Sequence, residues 1–262
     1  MKQRIITAVV AAGIFLPIVV YGQFPLVLLI YLIATIGLHE LLRMRKLSIF
    51  SIPGAISIFL LWIFLLPKEY IHLLEQFRYS KIEVALMGVL LFLTYTVISK
   101  NRFTFDDVAY SMLSALYVGI GFYYFIETRI EGLTYIFFAL FIIWATDSGA
   151  YFVGRAFGKH KLWPEISPKK TVEGSIGGIL SALLIAFIFS MFSDWNVPAL
   201  QLYGTTAILS IFGQIGDLVE SALKRHYGVK DSGNLLPGHG GILDRFDSLL
   251  FVLPIMHFMH FV

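Results

Sequence analysis

The sequence predicts an all-α, polytopic integral membrane protein with about nine transmembrane helices. Hydrophobic residues make up 58% of its 262 residues and charged residues only 14%, whereas about a quarter of a soluble domain is charged. Apolar segments close to the ~20 residues that cross a bilayer recur along the chain. Lysine and arginine are also distributed unequally between successive loops. These three observations favour a membrane protein over a soluble fold.

Nine apolar segments follow one another between short polar connections. In chain order they cover residues 5–21, 24–42, 49–66, 82–99, 108–126, 132–153, 175–192, 199–222 and 242–262. No small-residue cleavage site follows the first segment, so we interpret it as a retained span rather than a signal peptide. We divide the chain into an N-terminal part, residues 1–131, with five spans, and a C-terminal part, residues 132–262. The C-terminal part holds four spans and the cytoplasmic loops 154–174 and 223–241.

The basic residues predict the orientation. With nine spans, fifteen of the twenty lysines and arginines fall on one side of the membrane and four on the other. The first side carries Lys2, Arg4, Arg43, Arg45, Lys46, Lys100, Arg102, Arg155, Lys159, Lys161, Lys169, Lys170, Lys224, Arg225 and Lys230. The other carries Lys68, Arg78, Lys81 and Arg129, and Arg245 lies within the last span. Because cytoplasmic loops carry the basic excess, we predict a cytoplasmic N-terminus and an external C-terminus.

Charge and cysteine content exclude several functions. The net charge is +3 and no cysteine is present. So small a charge gives no reason to expect a nucleic-acid partner. Without cysteine, the chain cannot form disulfides, thiolate nucleophiles or sulfur-ligated zinc sites.

A polar, glycine-rich stretch from Ser221 to Asp247 separates the last two apolar segments. Four polar side chains share one helical face where this stretch begins, namely Asp217, Glu220, Ser221 and Lys224. Asp244 and Asp247 open the following helix, three residues apart and on one face. Carboxylates from two helices suit Mg2+, which takes oxygen ligands and usually retains waters and substrate phosphates. The glycines between them let backbone amides approach an anion closely.

This stretch resembles the signature of the phosphatidate cytidylyltransferases, also called CDP-diacylglycerol synthases. The pattern S-x-x-K-R-x-x-x-x-K-D-x-G-x-x-x-P-x-H-G-G-x-x-D-R-x-D is carried by Ser221, Lys224, Arg225, Lys230, Asp231, Gly233, Pro237, His239, Gly240, Gly241, Asp244, Arg245 and Asp247. The resemblance implies transfer of a cytidylyl group from CTP to phosphatidic acid, giving CDP-diacylglycerol and pyrophosphate. It also suggests a homodimer. With the predicted orientation, the active site faces the cytoplasm from the cell (inner or plasma) membrane.

A second polar stretch joins spans six and seven. Asp147, Tyr151 and Arg155 line one helical face. Downstream, Ser167-Pro168-Lys169-Lys170-Thr171 places two lysines and two hydroxyls beside the start of the next helix, whose N-terminus favours anions. A triphosphate could be held there. The pieces D-S-x-A-Y, G-R-x-F-G-K and S-P-K-K-T-x-E-G also resemble the cytidylyltransferases, so the resemblance covers roughly the C-terminal half.

The patterns and the resemblance together assign roles to individual residues. The predicted catalytic residues are Asp217, Lys224, Asp231, His239, Asp244, Arg245 and Asp247. The predicted ligands of Mg2+, with or without a second cation, are Asp217, Asp244 and Asp247. The residues predicted to bind CTP are Asp147, Tyr151, Arg155, Ser167, Lys169, Lys170, Thr171, Ser221, Arg225, Gly240 and Gly241.

Depth in the membrane connects the two stretches. At ~1.5 Å per helical residue, four aspartates lie roughly 5–10 Å below the cytoplasmic surface. They are Asp147, Asp217, Asp244 and Asp247. A charged side chain facing lipid costs ~2–3 kcal/mol or more. We therefore expect these aspartates to face a common polar cavity, and Glu40 on the second span lies at a similar depth.

Structural roles stay open for several residues. Asp244 and Asp247 could pair with Arg245 or a neighbouring lysine, and Lys169 and Lys170 could be simple positive-inside anchors. The solvated loop could pair Asp231 with Lys230, and His239 could bind phosphate, donate a proton or cap a helix. We expect interfacial structural roles for His39 and Glu40, and we assign no function to His257 and His260.

Two other functions use the same residues. A related lipid enzyme, such as a polyprenol kinase, would need a base to activate a hydroxyl, and His239 or Asp231 could serve. An ion-coupled transporter would use the buried carboxylates, but transporters usually combine internal repeats with charges near the midplane. We find no internal repeat, and the ionisable residues crowd one membrane face.

Overall fold

The computed structural model describes residues 2–193, 195, 197–238 and 240–262, without the side chains at positions 2, 4, 5 and 8. The chain folds as two compact units. The first comprises Met1–Glu127 with Asp231–Leu243, and the second comprises Thr128–Lys230 with Asp244–Val262. The segment Asp231–Leu243 folds with the first unit. The division of the chain after residue 131 stays a prediction.

The first unit is helical. It contains α1 (Lys2–Tyr21), α2 (Gln23–Met44), α3 (Ile52–Leu65), a 3-10 turn (Lys68–Tyr70), α4 (His72–Glu75), α5 (Lys81–Ile98) and most of α6 (Phe105–Glu131). Polar caps define two helix starts. Ser51 accepts a hydrogen bond from the amide of Gly54, and Ser80 forms a capping box with Glu83.

The second unit places a short hairpin between long helices. Its elements are α7 (Leu133–Phe157), β1 (Lys161–Trp163), β2 (Ser167–Thr171), α8 (Val172–Phe192), α9 (Ala199–His226), α10 (Leu243–Phe246) and α11 (Leu249–Phe258). The first residue of α10, Leu243, is the last residue of the first unit. In the second unit, α9 packs against α7, α8 and α11.

Glycines bring α7 and α8 together. A Cβ atom at Gly177 would collide with Val153, and one at Gly178 would lie 2.8 Å from the carbonyl oxygen of Thr146. Small residues at such interfaces let helix backbones approach closely in membrane proteins. This packing holds α7, which carries Asp147, against the helix that follows the hairpin.

The helices confirm the predicted class of helical multi-pass membrane protein. Six described helices, α2, α5, α6, α7, α8 and α9, are long and apolar enough to cross a membrane. A seventh span results if α3 and the segment Lys68–Glu75, bent by 103° from it, are counted as one. The two remaining predicted spans correspond to shorter apolar helices, Val9–Tyr21 and Leu249–Phe258. The count of nine therefore stays a prediction.

Two local features differ from the predicted arrangement of helices and loops. The loop after α7 forms an antiparallel hairpin, with Lys161 opposite Thr171 and Trp163 opposite Ser167. Its sequence lacks the alternation of apolar and polar residues that signals a strand. The predicted span 242–262 is also divided into α10 and α11. At the break, Asp247 Oδ1 accepts a hydrogen bond from the amide of Ser248 at 2.6 Å, which competes with helical hydrogen bonding.

Candidate active site

The last turns of α9 present one polar face. Ser221 Oγ donates a hydrogen bond to Asp217 Oδ1 at 3.3 Å, and Lys224 Nζ donates to Glu220 Oε2 at 2.5 Å. These contacts place the four side chains together, as their spacing predicts. Only 1% of the Glu220 side chain is exposed. Lys224 therefore neutralises a charge that would be costly to bury alone.

Lys224 also connects α9 to α10. Its ammonium donates to Asp244 Oδ1 at 2.6 Å, and 6% of the Asp244 side chain is exposed. Gly216 lets α9 approach the break between α10 and α11, since a Cβ there would lie 2.7 Å from the carbonyl oxygen of Asp247. The ion pair with a neighbouring lysine, which the sequence leaves open for Asp244, is present in the structure. Arg245 is exposed.

The hairpin adds a second lysine. Lys170 Nζ lies 2.6 Å from Asp217 Oδ2. The next residue, Thr171, is buried and caps α8, because its Oγ1 accepts a hydrogen bond from the amide of Gly174 at 3.1 Å. The cap fixes the end of β2 on the first turn of α8. Lys170, directly before it, is thereby directed to α9.

Three aspartates interact electrostatically in the second unit. Asp147 interacts with Asp217, and Asp247 interacts with both. Negatively charged side chains that lie close together repel one another unless cations lie between them. We call the following seven residues the lysine–carboxylate cluster. They are Asp147, Lys170, Asp217, Glu220, Lys224, Asp244 and Asp247.

The cluster has the donor atoms of a magnesium site but not its arrangement. Carboxylate oxygens are the ligands that Mg2+ prefers. Within the described part of the chain, however, no three histidine, aspartate or glutamate side chains are arranged to hold a metal ion. Two predicted ligands are instead bound to lysines, Asp217 to Lys170 and Asp244 to Lys224. The chemistry of the donor set fits Mg2+, and ligation would require these ion pairs to open.

Other predicted CTP-binding residues of the second unit are accessible to a ligand. Exposed side chains occur at Tyr151, Arg155, Lys169 and Arg225, and Ser167 and Ser221 are partly exposed. Arg155 Nη1 donates to the hydroxyl of Tyr151 at 3.3 Å, so these two share a helical face. Lys169 differs from Lys170, because it is exposed whereas Lys170 contacts Asp217.

The remaining predicted site residues belong to the first unit, apart from His239, which lies outside the described residues. Asp231 is exposed. Gly240 has a φ of 84° and its carbonyl accepts a hydrogen bond from the amide of Leu236 at 3.0 Å, which closes a tight turn. Gly241 is buried and faces the carboxylate of Glu40. The anion beside Gly241 is therefore a side chain of the protein itself.

Glu40, for which we expect an interfacial structural role, is buried in the first unit. It lies on α2 and is 4% exposed. Its carboxylate accepts hydrogen bonds from Ser232 Oγ and from the amides of Ile242 and Leu243. The sequence does indicate that Glu40 needs partners, because a charged carboxylate within an apolar segment is energetically costly. The partners themselves lie about two hundred positions away in the sequence and could not be identified from it.

Comparison with known proteins identifies the family of this chain. Residues 2–262 match the model of the cytidylyltransferase family. The chain belongs to this family. It is 58% identical to a phosphatidate cytidylyltransferase of Bacillus subtilis over 262 residues, covering 99% of this chain and 97% of the relative. It is also 52% identical to the phosphatidate cytidylyltransferase of Staphylococcus epidermidis and 49% identical to that of Staphylococcus aureus, each over 259 residues, 99% of this chain and 98% of the relative.

Membership of the cytidylyltransferase family confirms the resemblance found in the sequence. The match covers both units, whereas the motifs recognised in the sequence lie only in the C-terminal half. The cytidylyltransferase is accordingly an enzyme of the nucleotidyltransferase class. The N-terminal helices carry no recognisable motif, but they lie within the region that the family model matches.

Proposed function

We propose that this cytidylyltransferase transfers a cytidylyl group from CTP to phosphatidic acid for phospholipid biosynthesis. An oxygen of the lipid phosphate forms a bond to the α-phosphorus of CTP. The bond from that phosphorus to the bridging oxygen breaks, and pyrophosphate leaves with the electron pair. The products are CDP-diacylglycerol and pyrophosphate. The observation that carries the proposal is the contact of Lys170 with Asp217, which joins a lysine-rich hairpin to a carboxylate-rich helix face.

The lysines and arginines supply the main catalytic effect in this proposal. Phosphoryl transfer depends mostly on positioning and on stabilising charge. A phosphomonoester has a second pKa near 6, so the attacking lipid phosphate is largely ionised at neutral pH. A general base is therefore not required. Lys169 and Lys170 neutralise the triphosphate and the departing pyrophosphate. Lys224 and Arg245 act next to the carboxylates of the lysine–carboxylate cluster.

The other polar residues orient the nucleotide. We assign this role to Asp147, Tyr151, Arg155, Ser167, Thr171, Ser221, Arg225, Gly240 and Gly241. Asp231 and His239 keep their predicted place among the catalytic residues. Thr171 has the most restricted role, because its hydroxyl already accepts the capping hydrogen bond of α8.

We further propose that Asp217, Asp244 and Asp247 bind Mg2+. Bound there, the ion would neutralise phosphate charge and help to orient the reacting groups. The support is the set of carboxylate oxygens concentrated in the cluster. Lys170 and Lys224 are the groups that must then exchange from aspartate to phosphate.

One assay tests the reaction. Purified protein is incubated with phosphatidic acid, Mg2+ and CTP labelled at the α-phosphate, and the lipid phase is extracted. We expect label in the lipid and release of one pyrophosphate for each label transferred. Label in the lipid only from γ-labelled nucleotide, with release of nucleoside diphosphate, would identify a kinase instead.

The proposed topology is nine spans with a cytoplasmic N-terminus and a cytoplasmic active site. The distribution of basic residues supports it. Because the chain contains no cysteine, single cysteines can be introduced at exposed positions without other changes. We expect Lys161→Cys and Asn234→Cys to react with an impermeant thiol reagent from the cytoplasmic side only. Gln76→Cys should react only from outside, and any reversal contradicts the topology.

A homodimer is the assembly that we propose from the family resemblance. Its mass in detergent, after subtraction of bound detergent, measures this directly. A mass of one chain, about 29.6 kDa, at all protein concentrations tested would contradict the dimer.

A further inference from the structure

The carboxylate of Glu40 is buried and accepts hydrogen bonds from uncharged groups. Only 4% of the residue is exposed, and none of the ion pairs among the described residues includes it. Three uncharged donors satisfy it instead. Ser232 Oγ donates to Oε2 at 2.9 Å, the amide of Ile242 donates to Oε1 at 2.8 Å, and the amide of Leu243 donates to Oε2 at 3.0 Å.

Two glycines give the carboxylate its space. A Cβ atom at Gly233 would collide with Glu40 Oε1, and its three nearest neighbours would all be Glu40 side-chain atoms. At Gly241 it would collide with both Glu40 Oε1 and Ser232 Oγ. Neither glycine has a positive φ. Glycine is therefore required at these positions for close approach and not for backbone conformation.

We call the segment Asp231–Leu243 the signature loop. Glu40 binds it near both ends, at Ser232 and at the pair Ile242 and Leu243. Thr7 on α1 also donates a hydrogen bond to the carbonyl oxygen of Pro237, at 3.2 Å. The two ends of the loop are therefore fixed by one side chain of α2, and its middle contacts α1.

The fixed amides lie directly before the catalytic carboxylates. Leu243 is the first residue of α10, and Asp244 is bonded to it. The direction in which Asp244 leaves the loop therefore depends on where the amides of Ile242 and Leu243 are held. Charge-assisted hydrogen bonds from a carboxylate to backbone amides are among the stronger ones in proteins.

We propose that Glu40 is a positioning residue of the active site. Its carboxylate fixes the two ends of the signature loop, which continues directly into Asp244, without touching substrate. The inference rests on the proposed function for its kinetic consequence, because it assumes that Asp244 and Asp247 take part in cytidylyl transfer. Its structural part, the fixing of the loop, can be measured without the reaction.

The decisive variants are Glu40→Gln and Glu40→Ala. Glutamine keeps the shape but presents an NH2 group to at least one of the three donors. At a temperature where both proteins are fully folded, we expect Glu40→Gln to lower kcat at least tenfold, with KM for CTP and the Mg2+ requirement changed less than threefold. Deuterium exchange of the amides of Ile242 and Leu243 should become at least tenfold faster.

The matched control is Glu127→Gln. Glu127 is a second buried glutamate of the first unit, and it accepts a hydrogen bond from the amide of Lys68. The substitution should lower thermal stability but leave kcat unchanged.

A double-mutant cycle tests the close approach itself. Gly233→Ala should lower kcat in the natural chain, because the added methyl displaces the carboxylate. In the Glu40→Ala background the methyl has no side-chain atom left to meet, so its further effect should be less than twofold. Gly13→Ala is the control, since a Cβ atom there meets nothing within 4 Å.

Several results would overturn the inference. Normal kcat in the folded Glu40→Gln protein would make Glu40 merely structural, and unchanged exchange at Ile242 and Leu243 would show that it does not hold the loop. Full additivity of Glu40→Ala and Gly233→Ala would contradict the close approach. If the natural chain itself transfers no cytidylyl group, the proposed function fails. The exchange measurement and thermal unfolding of the same variants still decide whether Glu40 fixes the loop.

Discussion

The carboxylates of the lysine–carboxylate cluster and the carboxylate of Glu40 are satisfied by different groups. In the second unit, Asp217 and Asp244 are bound by the ammonium groups of Lys170 and Lys224. In the first unit, Glu40 is bound by a hydroxyl and two backbone amides. A lysine side chain can turn from a carboxylate to a phosphate, because it is a flexible point charge. A backbone amide within a folded loop cannot. The first kind of site is suited to exchange ligands, and the second to hold a fixed geometry.

This difference bears on catalysis. Binding of a triphosphate and a metal ion must change which charges face each other. The lysine–carboxylate cluster can make that change by exchanging partners, whereas Glu40 takes part in none of the ion pairs of the described residues. We therefore expect substitutions in the cluster to alter the dependence on ligands, and substitutions around Glu40 to alter turnover or stability only.

The largest effect is expected for the cluster aspartates. Asn at position 217, 244 or 247 keeps the size of the side chain and removes its charge, so activity should fall roughly a hundredfold or more. The variants should still insert into the membrane and purify. Excess Mg2+ or another divalent ion should recover part of the activity. The measurement is lipid labelling from CTP over a range of Mg2+ concentrations.

Asp106→Asn is the matched control, because Asp106 is exposed on the first turn of α6. It should behave like the natural chain. Near-normal activity of Asp217→Asn, Asp244→Asn and Asp247→Asn at ordinary Mg2+ would contradict the assignment of these carboxylates to the metal.

How far the sequence alone predicts this molecule depends on the distance over which residues interact. The face of α9 could be predicted because Asp217 and Ser221 lie one helical turn apart. The contact of Lys170 with Asp217 could not, because it depends on how a hairpin packs on a helix. Glu40 and Ser232 are 192 positions apart, and hydropathy gives no information about which buried groups meet. The sequence also does not predict the break between α10 and α11, where the amide of Ser248 donates a hydrogen bond to the side chain of Asp247.

The next effect concerns Lys224, which is shared by two carboxylates. Lys224→Met removes the cation that Glu220 and Asp244 share. Leaving buried acids unpaired costs about 3–5 kcal/mol. We expect a large drop in thermal unfolding temperature, measured in detergent. Adding Glu220→Gln to Lys224→Met should restore part of it, and the absence of any recovery would show that Lys224 does not act by neutralising Glu220.

The two hairpin lysines should differ in a measurable way. Lys169 is exposed, whereas Lys170 is bound to Asp217. Loss of a charge-assisted hydrogen bond to a phosphate costs about 1.5–3 kcal/mol, or roughly ten- to a hundredfold in affinity. Both Lys169→Ala and Lys170→Ala should raise KM for CTP by that factor, or lower kcat if the contact forms only in the transition state.

Only the second variant should also alter the Mg2+ dependence, because it releases Asp217. If the lysine variants instead lose affinity for phosphatidic acid and bind CTP normally, the segment Ser167–Thr171 contacts the lipid headgroup, and the roles proposed for the two substrates are reversed.

The smallest effects come from two serines that make the same kind of hydrogen bond in the two regions. Ser221 Oγ donates to Asp217 at 3.3 Å in a partly exposed site, and Ser232 Oγ donates to Glu40 at 2.9 Å in a buried one. Water can replace the first hydroxyl, so Ser221→Ala should change stability by less than about 0.5 kcal/mol. Ser232→Ala leaves a buried carboxylate oxygen with one donor fewer and should cost about 1–3 kcal/mol. Thermal unfolding of the two variants compares them directly. Equal losses would mean that Glu40 is no more rigidly held than the cluster aspartates, and the distinction between the two regions would then be wrong.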